Sequence, residues 1–285
     1  MIATVGAGTI GTGVAQALAA CDYRVLLLDH SEIQLGRALR NIRRGIRAQR
    51  LVGGAHPVPD PDEVLRRIDP TTDPDQLVRT HIVIENVTEN WTIKEALYRD
   101  MAKITDPQTV FCANTSTIPI TQIASATEYP DRVIGMHFMN PVPIMPAVEL
   151  IRGHHTSERT IRTARRLVAG LGKHAILVED SPGFVTNRVM MLVINEAIFI
   201  LQDRVAETPQ DVDRLLKTCL GRKMGPLETA DLIGLDTVLF SMEELYRRFS
   251  DSKYRPCPLL RKMVSAGILG RKSGHGFYRY HQVAA

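Results

Sequence analysis

The residues Gly6-Ala7-Gly8-Thr9-Ile10-Gly11 follow a short apolar run at residues 2–5 and open a stretch, residues 9–21, that predicts an α-helix. Between a strand and a helix, the first glycine of such a stretch permits a tight turn, and the second lets the backbone approach a pyrophosphate. The third lets the helix pack closely on the strand, and the helix N-terminus attracts anionic phosphates. The stretch therefore predicts a dinucleotide-binding site. The residues expected to contact the cofactor there are Gly6, Gly8, Thr9, Ile10 and Gly11.

A carboxylate stands at the end of the second predicted strand, residues 24–28. Asp29 lies about 20 residues beyond the glycines, where a dinucleotide site binds the ribose hydroxyls. No arginine follows it directly to accept a 2′-phosphate, which the carboxylate would repel, so the pattern favours NAD over NADP. The alternative interpretation, without a cofactor, is a glycine-rich turn followed by a solvated aspartate.

Predicted strands and helices alternate through the first 180 residues. Further strands are expected at residues 81–85, 109–113, 132–137, 147–151 and 174–178, and helices at residues 31–51, 93–104 and 157–171. Such alternation predicts an α/β fold with a Rossmann-type, doubly wound and largely parallel sheet. Only helices are predicted after it, at residues 184–201, 209–220, 229–249 and 259–266; the first is apolar on nearly every side and should be buried. The chain should therefore divide into an α/β domain, residues 1–180, and an all-helical domain, residues 181–285.

The composition argues against several classes of protein. The chain has 285 residues, 44% of them hydrophobic, which is enough to bury a substantial core. Lys and Arg number 35 against 31 Asp and Glu, and this small excess, with only 5% aromatic residues, argues against nucleic acid as a partner. An acidic or phosphorylated small molecule suits the charge better.

The sequence also bears on the compartment. It has no basic-then-apolar leader and no apolar run near the ~20 residues of a membrane span, so a cytoplasmic protein with no membrane partner is expected. The four cysteines are far apart and include no Cys-x-x-Cys pair; they are Cys21, Cys112, Cys219 and Cys257. They are predicted to be buried thiols in a reducing compartment, and no metal site is expected.

A histidine stands at the C-terminal end of a predicted strand, in the stretch Gly135-Met136-His137-Phe138-Met139-Asn140-Pro141-Val142-Pro143. Open α/β sheets bind ligands at this end of their strands. The prolines turn the chain, and Glu149 falls in the next extended segment. If the two segments pair, a strand spacing of ~4.8 Å brings Glu149 to His137, whose imidazole could then act as a base oriented by the carboxylate. The alternative is a core histidine and an unrelated surface glutamate.

Further segments with distinctive composition are spread over essentially the whole chain. They are residues 85–90 (Glu-Asn-Val-Thr-Glu-Asn), 114–116 (Asn-Thr-Ser), 137–141 (His-Phe-Met-Asn-Pro), 181–188 (Ser-Pro-Gly-Phe-Val-Thr-Asn-Arg), 225–228 (Gly-Pro-Leu-Glu) and 270–278 (Gly-Arg-Lys-Ser-Gly-His-Gly-Phe-Tyr). In this order they resemble the successive signatures of the 3-hydroxyacyl-CoA dehydrogenase family, particularly its short 3-hydroxybutyryl-CoA dehydrogenases. The resemblance implies a Rossmann NAD-binding domain, a helical domain for substrate and dimerisation, and a homodimer.

The resemblance also implies a reaction and the residues that perform it. A dehydrogenase of this kind uses NAD to interconvert a 3-hydroxyacyl and a 3-ketoacyl thioester, with His137 as general base and Glu149 as its orienting partner. Ser116 and Asn187 are implied to hydrogen-bond the oxygen that is oxidised. The other residues implied at the cofactor and thioester-carrier side are Glu89, Lys94, Asn114, Asn140 and Lys272. The alternatives are a helix cap for Ser116 and a buried structural hydrogen bond for Asn187.

The chain departs from the family pattern at several positions. It has Pro146-Ala147 in place of a lysine and a large aliphatic residue, and Thr117 in place of a second serine. Gly45 and Val52 stand where the family has polar contacts to the CoA nucleotide. The helix at residues 31–51 instead has six arginines, Arg37, Arg40, Arg43, Arg44, Arg47 and Arg50. One interpretation of these arginines is a solvated basic face. The other is a binding surface for CoA phosphates or for an acidic acyl carrier protein.

The sequence therefore leaves three alternatives to a 3-hydroxyacyl-CoA dehydrogenase. The first is a dehydrogenase for a hydroxyacyl group on an acyl carrier protein, as in polyketide precursor pathways, where the group can be a 2-hydroxyacyl one. The second is a dehydrogenase for free hydroxy acids. The third is a non-catalytic NAD-binding relative, against which the joint presence of the four implied catalytic residues argues.

Overall fold

The computed structural model describes residues 1–52 and 59–280. The chain divides into two compact units, Met1–Ser181 and a second that begins at Pro182. The first unit contains the sheet and the second contains helices.

Eight strands among the described residues of the first unit form one sheet. They are β1 (Ile2–Val5), β2 (Val25–Leu28), β3 (Ile68–Thr71), β4 (Ile82–Glu85), β5 (Val110–Ala113), β6 (Val133–Phe138), β7 (Ala147–Arg152) and β8 (His174–Glu179). The sheet order is β3-β2-β1-β4-β5-β6-β7-β8, and all neighbours are parallel except β6 and β7. The predicted fold class is confirmed. Strand order reverses between β1 and β4, and such a reversal opens a crevice at the carboxyl ends of the strands.

Helices of the same unit pack against this sheet. They are α1 (Thr9–Ala20), α2 (Glu32–Val52), α3 (Pro61–Arg66), α4 (Trp91–Ile104), α5 (Ile120–Ala124) and α6 (Glu158–Gly170). Because covered parallel strands are buried on both faces, β1, β2 and β5 consist wholly of buried residues. The sequence did not predict β3, which contains Pro70 and lies at the sheet edge beside β2. A proline is tolerated there because an edge strand leaves one row of N–H groups without a ladder partner.

The second unit contains α7 (Thr186–Gln202), α8 (Pro209–Cys219), α9 (Pro226–Ile233), α10 (Leu235–Phe249) and α11 (Pro258–Ser265). The prediction of one helix over residues 229–249 is wrong. Gly234 separates α9 from α10 with a φ of 101°, a conformation that ends a helix and that glycine adopts without strain. The predicted burial of the first helix on nearly every side is also wrong for the single chain, because Val189 of α7 is 58% exposed. None of the described helices has the length and apolar character required to cross a lipid bilayer.

The thiols differ from one another in exposure. Cys112 and Cys257 are buried as predicted, whereas Cys21 and Cys219 are exposed. The prediction of buried thiols is therefore wrong for two of the four. Both exposed cysteines lie at helix ends, Cys21 as the C-cap of α1 and Cys219 as the last residue of α8, where the helix leaves the core.

Candidate functional site

The glycine turn between β1 and α1 brings backbone segments closer together than side chains would allow. Gly6 has a φ of 93°, and a Cβ at this position would lie 2.9 Å from the carbonyl of Asn86, which follows β4. A Cβ at Gly11 would lie 1.8 Å from the Gly6 oxygen, so α1 packs too closely against the glycine turn to leave room for a side chain at Gly11. Gly8, the N-cap of α1, faces open space instead. That opening at a helix N-terminus suits a pyrophosphate, so the residues present fit the dinucleotide that the sequence predicts.

Asp29 is attached to this turn rather than solvated. Its Oδ2 accepts a hydrogen bond from the Ala7 N–H at 2.8 Å, and its Oδ1 accepts one from the Ser31 N–H at 3.0 Å. The Asp29 side chain is 9% exposed, whereas that of His30, whose Nδ1 lies 3.3 Å from it, is 95% exposed. The carboxylate thus stands at the end of β2 and fixes the conformation of the glycine turn. The alternative of a solvated aspartate is wrong.

His137 and Glu149 are cross-strand neighbours. The antiparallel pairing of β6 with β7 places His137 opposite Glu149, and His137 Nδ1 lies 3.0 Å from Glu149 Oε2. Both residues are buried, at 5% and 6% exposure, so the alternative of a surface glutamate is wrong. The connection between the strands is held by Lys173, whose Nζ donates to the carbonyl oxygens of Met145 at 2.7 Å and Pro143 at 3.3 Å.

This pairing determines which imidazole nitrogen can act as a base. A carboxylate only accepts hydrogen bonds, so the contact with Glu149 places the ring hydrogen on Nδ1. In the neutral ring, Nε2 then has the lone pair. Ser116 Oγ lies 3.1 Å from that Nε2, within hydrogen-bond distance. Ser116 does not cap α5, since the N-cap of this helix is Pro119.

Glu89 holds the loop from which Ser116 projects. Its Oε1 accepts hydrogen bonds from the N–H groups of Ser116 at 2.9 Å and Thr117 at 2.8 Å. The same oxygen accepts from the hydroxyls of Thr115 at 2.5 Å and Thr117 at 2.9 Å. Burial opposes ionisation of Glu89, yet the charge of Lys94 and these hydrogen bonds keep the pKa of its carboxyl below the usual value. Glu89 Oε1, an oxygen of an ionised carboxylate, therefore holds the loop through four hydrogen bonds.

Lys94 is the buried counter-ion beneath this loop. Its side chain is 0% exposed, and its Nζ donates to both carboxylate oxygens of Glu85, at 2.7 and 2.8 Å. It lies 3.8 Å from Glu89 and 3.5 Å from the Asn114 carbonyl. Burial raises the pKa of Glu85, and the ammonium group of Lys94 opposes that shift. The structure thus places Lys94 inside the first unit, where its contacts are with the protein.

Sequence reasoning missed Glu85, although a signal was present. Glu85 ends an otherwise apolar strand, and Lys94 lies on the same stripe of α4 as the buried Tyr98 and Met101. A charged residue on a buried stripe needs a buried partner of opposite charge. Two such residues close in sequence would have predicted the pair.

Two asparagines connect the glycine turn to β6. Asn114 Nδ2 donates to Asn86 Oδ1 at 2.8 Å, and Asn114 Oδ1 accepts from the Phe138 N–H at 3.2 Å. Since Asn86 packs against Gly6, this chain of contacts fixes the end of β6 relative to the glycine turn. Asn140, just beyond β6, is exposed.

Two predicted site residues belong to the second unit. Asn187 lies in the first turn of α7 and is half-buried. Lys272 Nζ contacts Asp236 Oδ2 at 2.5 Å, with its side chain 49% exposed.

The arginines of α2 are all exposed. Two of them pair with α3, Arg43 with Asp62 at 2.8 Å and Arg50 with Asp60 at 3.3 Å. The remaining four form a stripe along the helix, Arg37, Arg40, Arg44 and Arg47. Ile33, 69% exposed, and Leu51, 88% exposed, lie near the two ends of this arginine stripe. The side chain of Val52 lies outside the described residues.

Family models match almost the entire chain. Residues 1–181 match the model described as 3-hydroxyacyl-CoA dehydrogenase, NAD binding domain. Residues 183–280 match the model described as 3-hydroxyacyl-CoA dehydrogenase, C-terminal domain.

Individual proteins resemble the chain over its full length. A protein of Bacillus subtilis (strain 168) named "Probable 3-hydroxybutyryl-CoA dehydrogenase" is 43% identical over 281 residues, which cover 99% of this chain and 97% of that protein. The 3-hydroxybutyryl-CoA dehydrogenase of Bradyrhizobium diazoefficiens is 40% identical, with 98% and 94% covered. The crystal structure of (S)-3-hydroxybutyryl-CoA dehydrogenase from Ralstonia eutropha has a TM-score of 0.92 and 42% identity, with 99% of each chain covered.

Proposed function

Because the chain belongs to the 3-hydroxyacyl-CoA dehydrogenase family, we propose that it uses NAD to interconvert a 3-hydroxyacyl-CoA thioester, such as 3-hydroxybutyryl-CoA, and the matching 3-ketoacyl thioester. The observation that carries the proposal is the hydrogen-bonded series Ser116–His137–Glu149 at the carboxyl ends of β5 and β6. The predictions of the family, of NAD as cofactor and of an NAD-dependent oxidoreductase are confirmed by the family matches.

The geometry supports a division of roles among these three residues. Bound NAD supplies the hydride acceptor. His137 Nε2, with its lone pair, takes the hydroxyl proton as the hydride leaves the same carbon. Glu149 stabilises the imidazolium that results, because its carboxylate already accepts from Nδ1. Ser116 donates to the oxygen that becomes the carbonyl, and we assign Asn187 as the second donor.

NAD is proposed to lie on the glycine turn. Gly8 and the N–H groups that open α1 face the pyrophosphate, and Gly6 and Gly11 permit the backbone path beside it. Asp29 would accept from the ribose hydroxyls and repel a 2′-phosphate, as its place at the end of β2 suggests. Among the other predicted residues, Asn140 and Lys272 have exposed side chains that could contact the cofactor or carrier.

The second unit is proposed to contribute Asn187 and a dimer contact. Several large apolar side chains of this unit are exposed in the single chain: Val189, Leu232, Ile233, Phe240 and Tyr246. So many exposed apolar side chains are typical of an interaction surface, and we propose that a second copy of the chain buries them. The homodimer remains a prediction, as does the cytoplasmic location.

The proposed function predicts a direct assay result. The purified protein should oxidise NADH when acetoacetyl-CoA is added, followed as loss of NADH absorbance. NADPH should react much more slowly, because the Asp29 carboxylate would repel its 2′-phosphate. Free acetoacetate is the matched control, and a saturable preference for it would instead favour a free hydroxy-acid dehydrogenase. No oxidation with any 3-ketoacyl thioester, on CoA or on a carrier protein, would contradict the proposed function and favour a non-catalytic relative.

The arginine stripe of α2 favours a second candidate, a hydroxyacyl group presented by an acidic acyl carrier protein. Four exposed arginines with apolar residues near both ends complement an acidic protein surface better than a single nucleotide. Opposite charges on two such surfaces mainly raise the rate of association.

This candidate is tested with one acetoacetyl group offered on CoA and on an acidic carrier protein. If the carrier protein docks here, Arg44→Glu with Arg47→Glu should lower kcat/KM for the carrier substrate about tenfold or more at low salt. Arg165→Glu with Arg166→Glu, which reverses two exposed charges on α6, is the matched control. Equal losses for both double variants, or activity on CoA alone, would rule out the carrier protein.

A further inference from the structure

We propose that Glu89 is a positioning residue: it places the Ser116 hydroxyl on His137 by holding the Ser116 loop, residues 114–117, on the buried Lys94–Glu85 pair. The proposal rests on the proposed function, in which Ser116 contacts the reacting oxygen. It assigns Glu89 a role other than the cofactor and carrier contact predicted from the sequence.

The contacts of Glu89 are concentrated on the Ser116 loop. Oε1 receives four donors, two backbone N–H groups and two threonine hydroxyls, all within 2.5–2.9 Å. One of them, Thr115 Oγ1, in turn accepts from the Ile118 N–H at 3.0 Å, which fixes the next residue of the chain. Ser116 is tied down through its own backbone N–H, so a shift of Glu89 displaces the serine directly.

The loop needs an ionised acceptor rather than a neutral one. Hydrogen bonds to a carboxylate are shorter and roughly twice as strong as those between neutral groups. Glu89 is kept ionised because Lys94 lies 3.8 Å from its Oε2. Lys94 itself cannot move away, since it is fully buried and bound to both oxygens of Glu85.

The chain of contacts ends at the proposed base. From Glu85 it passes through Lys94 and Glu89 to Ser116, whose Oγ is 3.1 Å from His137 Nε2. Loss of any one of the contacts between Glu85 and Ser116 would leave His137 and Glu149 paired, because the register of β6 and β7 holds them. Loss of Glu89 should therefore remove the contribution of Ser116 and leave that of His137.

The test is a double-mutant cycle between Glu89→Ala and Ser116→Ala. Removing one donor to a developing oxyanion typically costs about 10²–10³ in kcat, so Ser116→Ala should lower kcat strongly. Glu89→Ala should lower kcat about tenfold or more in the wild-type background. In the Ser116→Ala background it should have little further effect, because its target is gone. The Kd for NADH should stay near the wild-type value throughout.

Controls separate positioning from loss of structure. Glu95→Ala, in α4 shortly after Glu89 and paired there with the exposed Arg99, should leave kcat unchanged. Glu89→Gln retains an oxygen for the loop, and its kcat should lie between those of the wild type and of Glu89→Ala. It takes the place of Glu89→Ala in the cycle if Glu89→Ala folds poorly.

Two results would overturn the proposal while leaving the proposed function intact. One is a multiplicative loss, in which Glu89→Ala lowers kcat equally with and without Ser116. The other is a raised Kd for NADH with unchanged kcat, the signature of a cofactor contact. An unchanged kcat in Ser116→Ala would overturn the proposed role of Ser116 as well as this proposal. The failure of the proposed function is distinct from these, because it shows as no thioester-dependent NADH oxidation in the unaltered protein.

Discussion

Replacing His137 by glutamine should lower kcat by about 10²- to 10⁴-fold, the contribution of a general base, while NADH still binds. Glutamine can keep a polar contact to Glu149 and to Ser116, which lie 3.0 and 3.1 Å from the His137 ring nitrogens. It has no group that accepts a proton near neutral pH. The loss therefore isolates proton transfer from the hydrogen bonding that surrounds it.

The measurement is kcat with saturating NADH and acetoacetyl-CoA, together with the Kd for NADH from its fluorescence. His155→Gln is the matched control, because this histidine is exposed beyond the far end of β7. An undiminished kcat in His137→Gln would refute the assignment of the base. A loss that is accompanied by a much weaker Kd for NADH would assign His137 to cofactor binding instead.

Replacing Lys94 by methionine should destabilise the protein by about 3–5 kcal/mol. Methionine fills similar space but leaves the Glu85 carboxylate buried without its counter-ion, and the Lys94 side chain is itself 0% exposed. Solvent cannot replace the lost partner. The free energy of unfolding in urea measures the effect, and Lys103→Met is the control because its side chain, on the same helix, is 74% exposed. That control should change stability by less than about 1 kcal/mol.

The pH dependence of the Lys94→Met variant follows from Glu85. Burial raises the pKa of this carboxyl, and removing Lys94 removes the charge that opposes the rise. The folded state of the variant then binds the Glu85 proton more tightly than the unfolded state does. Its stability should be greatest in acid and should fall as pH rises through the folded-state pKa. The difference from wild type should therefore grow from about pH 5 to about pH 7.

A second substitution tests the origin of the loss. Glu85→Gln together with Lys94→Met removes both charges of this buried pair and should recover part of the stability. A loss of stability in Lys94→Met that is independent of pH, with no recovery in the double variant, would contradict the buried ion pair as its cause.

Much of the candidate site could be predicted from residues close together in the chain. The glycine stretch identified β1 and α1, because a strand, a tight turn and a helix N-terminus form within a few residues. The pairing of His137 with Glu149 was predictable for the same reason, since a short proline-rich connection returns the chain beside itself. The family signatures added Ser116, which the loop after β5 brings to His137.

Other features were decided by the tertiary structure. The break between α9 and α10 depends on the conformation of Gly234, and the sequence alone shows only an uninterrupted helical pattern. The partners of Lys94 and Glu89 depend on the sheet order, which sets β4 beside β5 and so places the Ser116 loop next to Glu89. Periodicity shows which side of a helix is buried, but it does not show which charge lies opposite.

Residues close together in the chain are therefore enough to specify the Rossmann sheet, the dinucleotide turn and the histidine–glutamate pair, because local steric rules and a short strand return suffice for each. The way in which Ser116 is held depends instead on contacts between distant parts of the chain. Its support consists of three charged groups, Glu85, Lys94 and Glu89, whose attraction acts over distances that chain folding alone creates. In the buried interior each of them must find a partner of opposite charge or a hydrogen-bond donor, and it is the packing of strands and helices that brings those partners together.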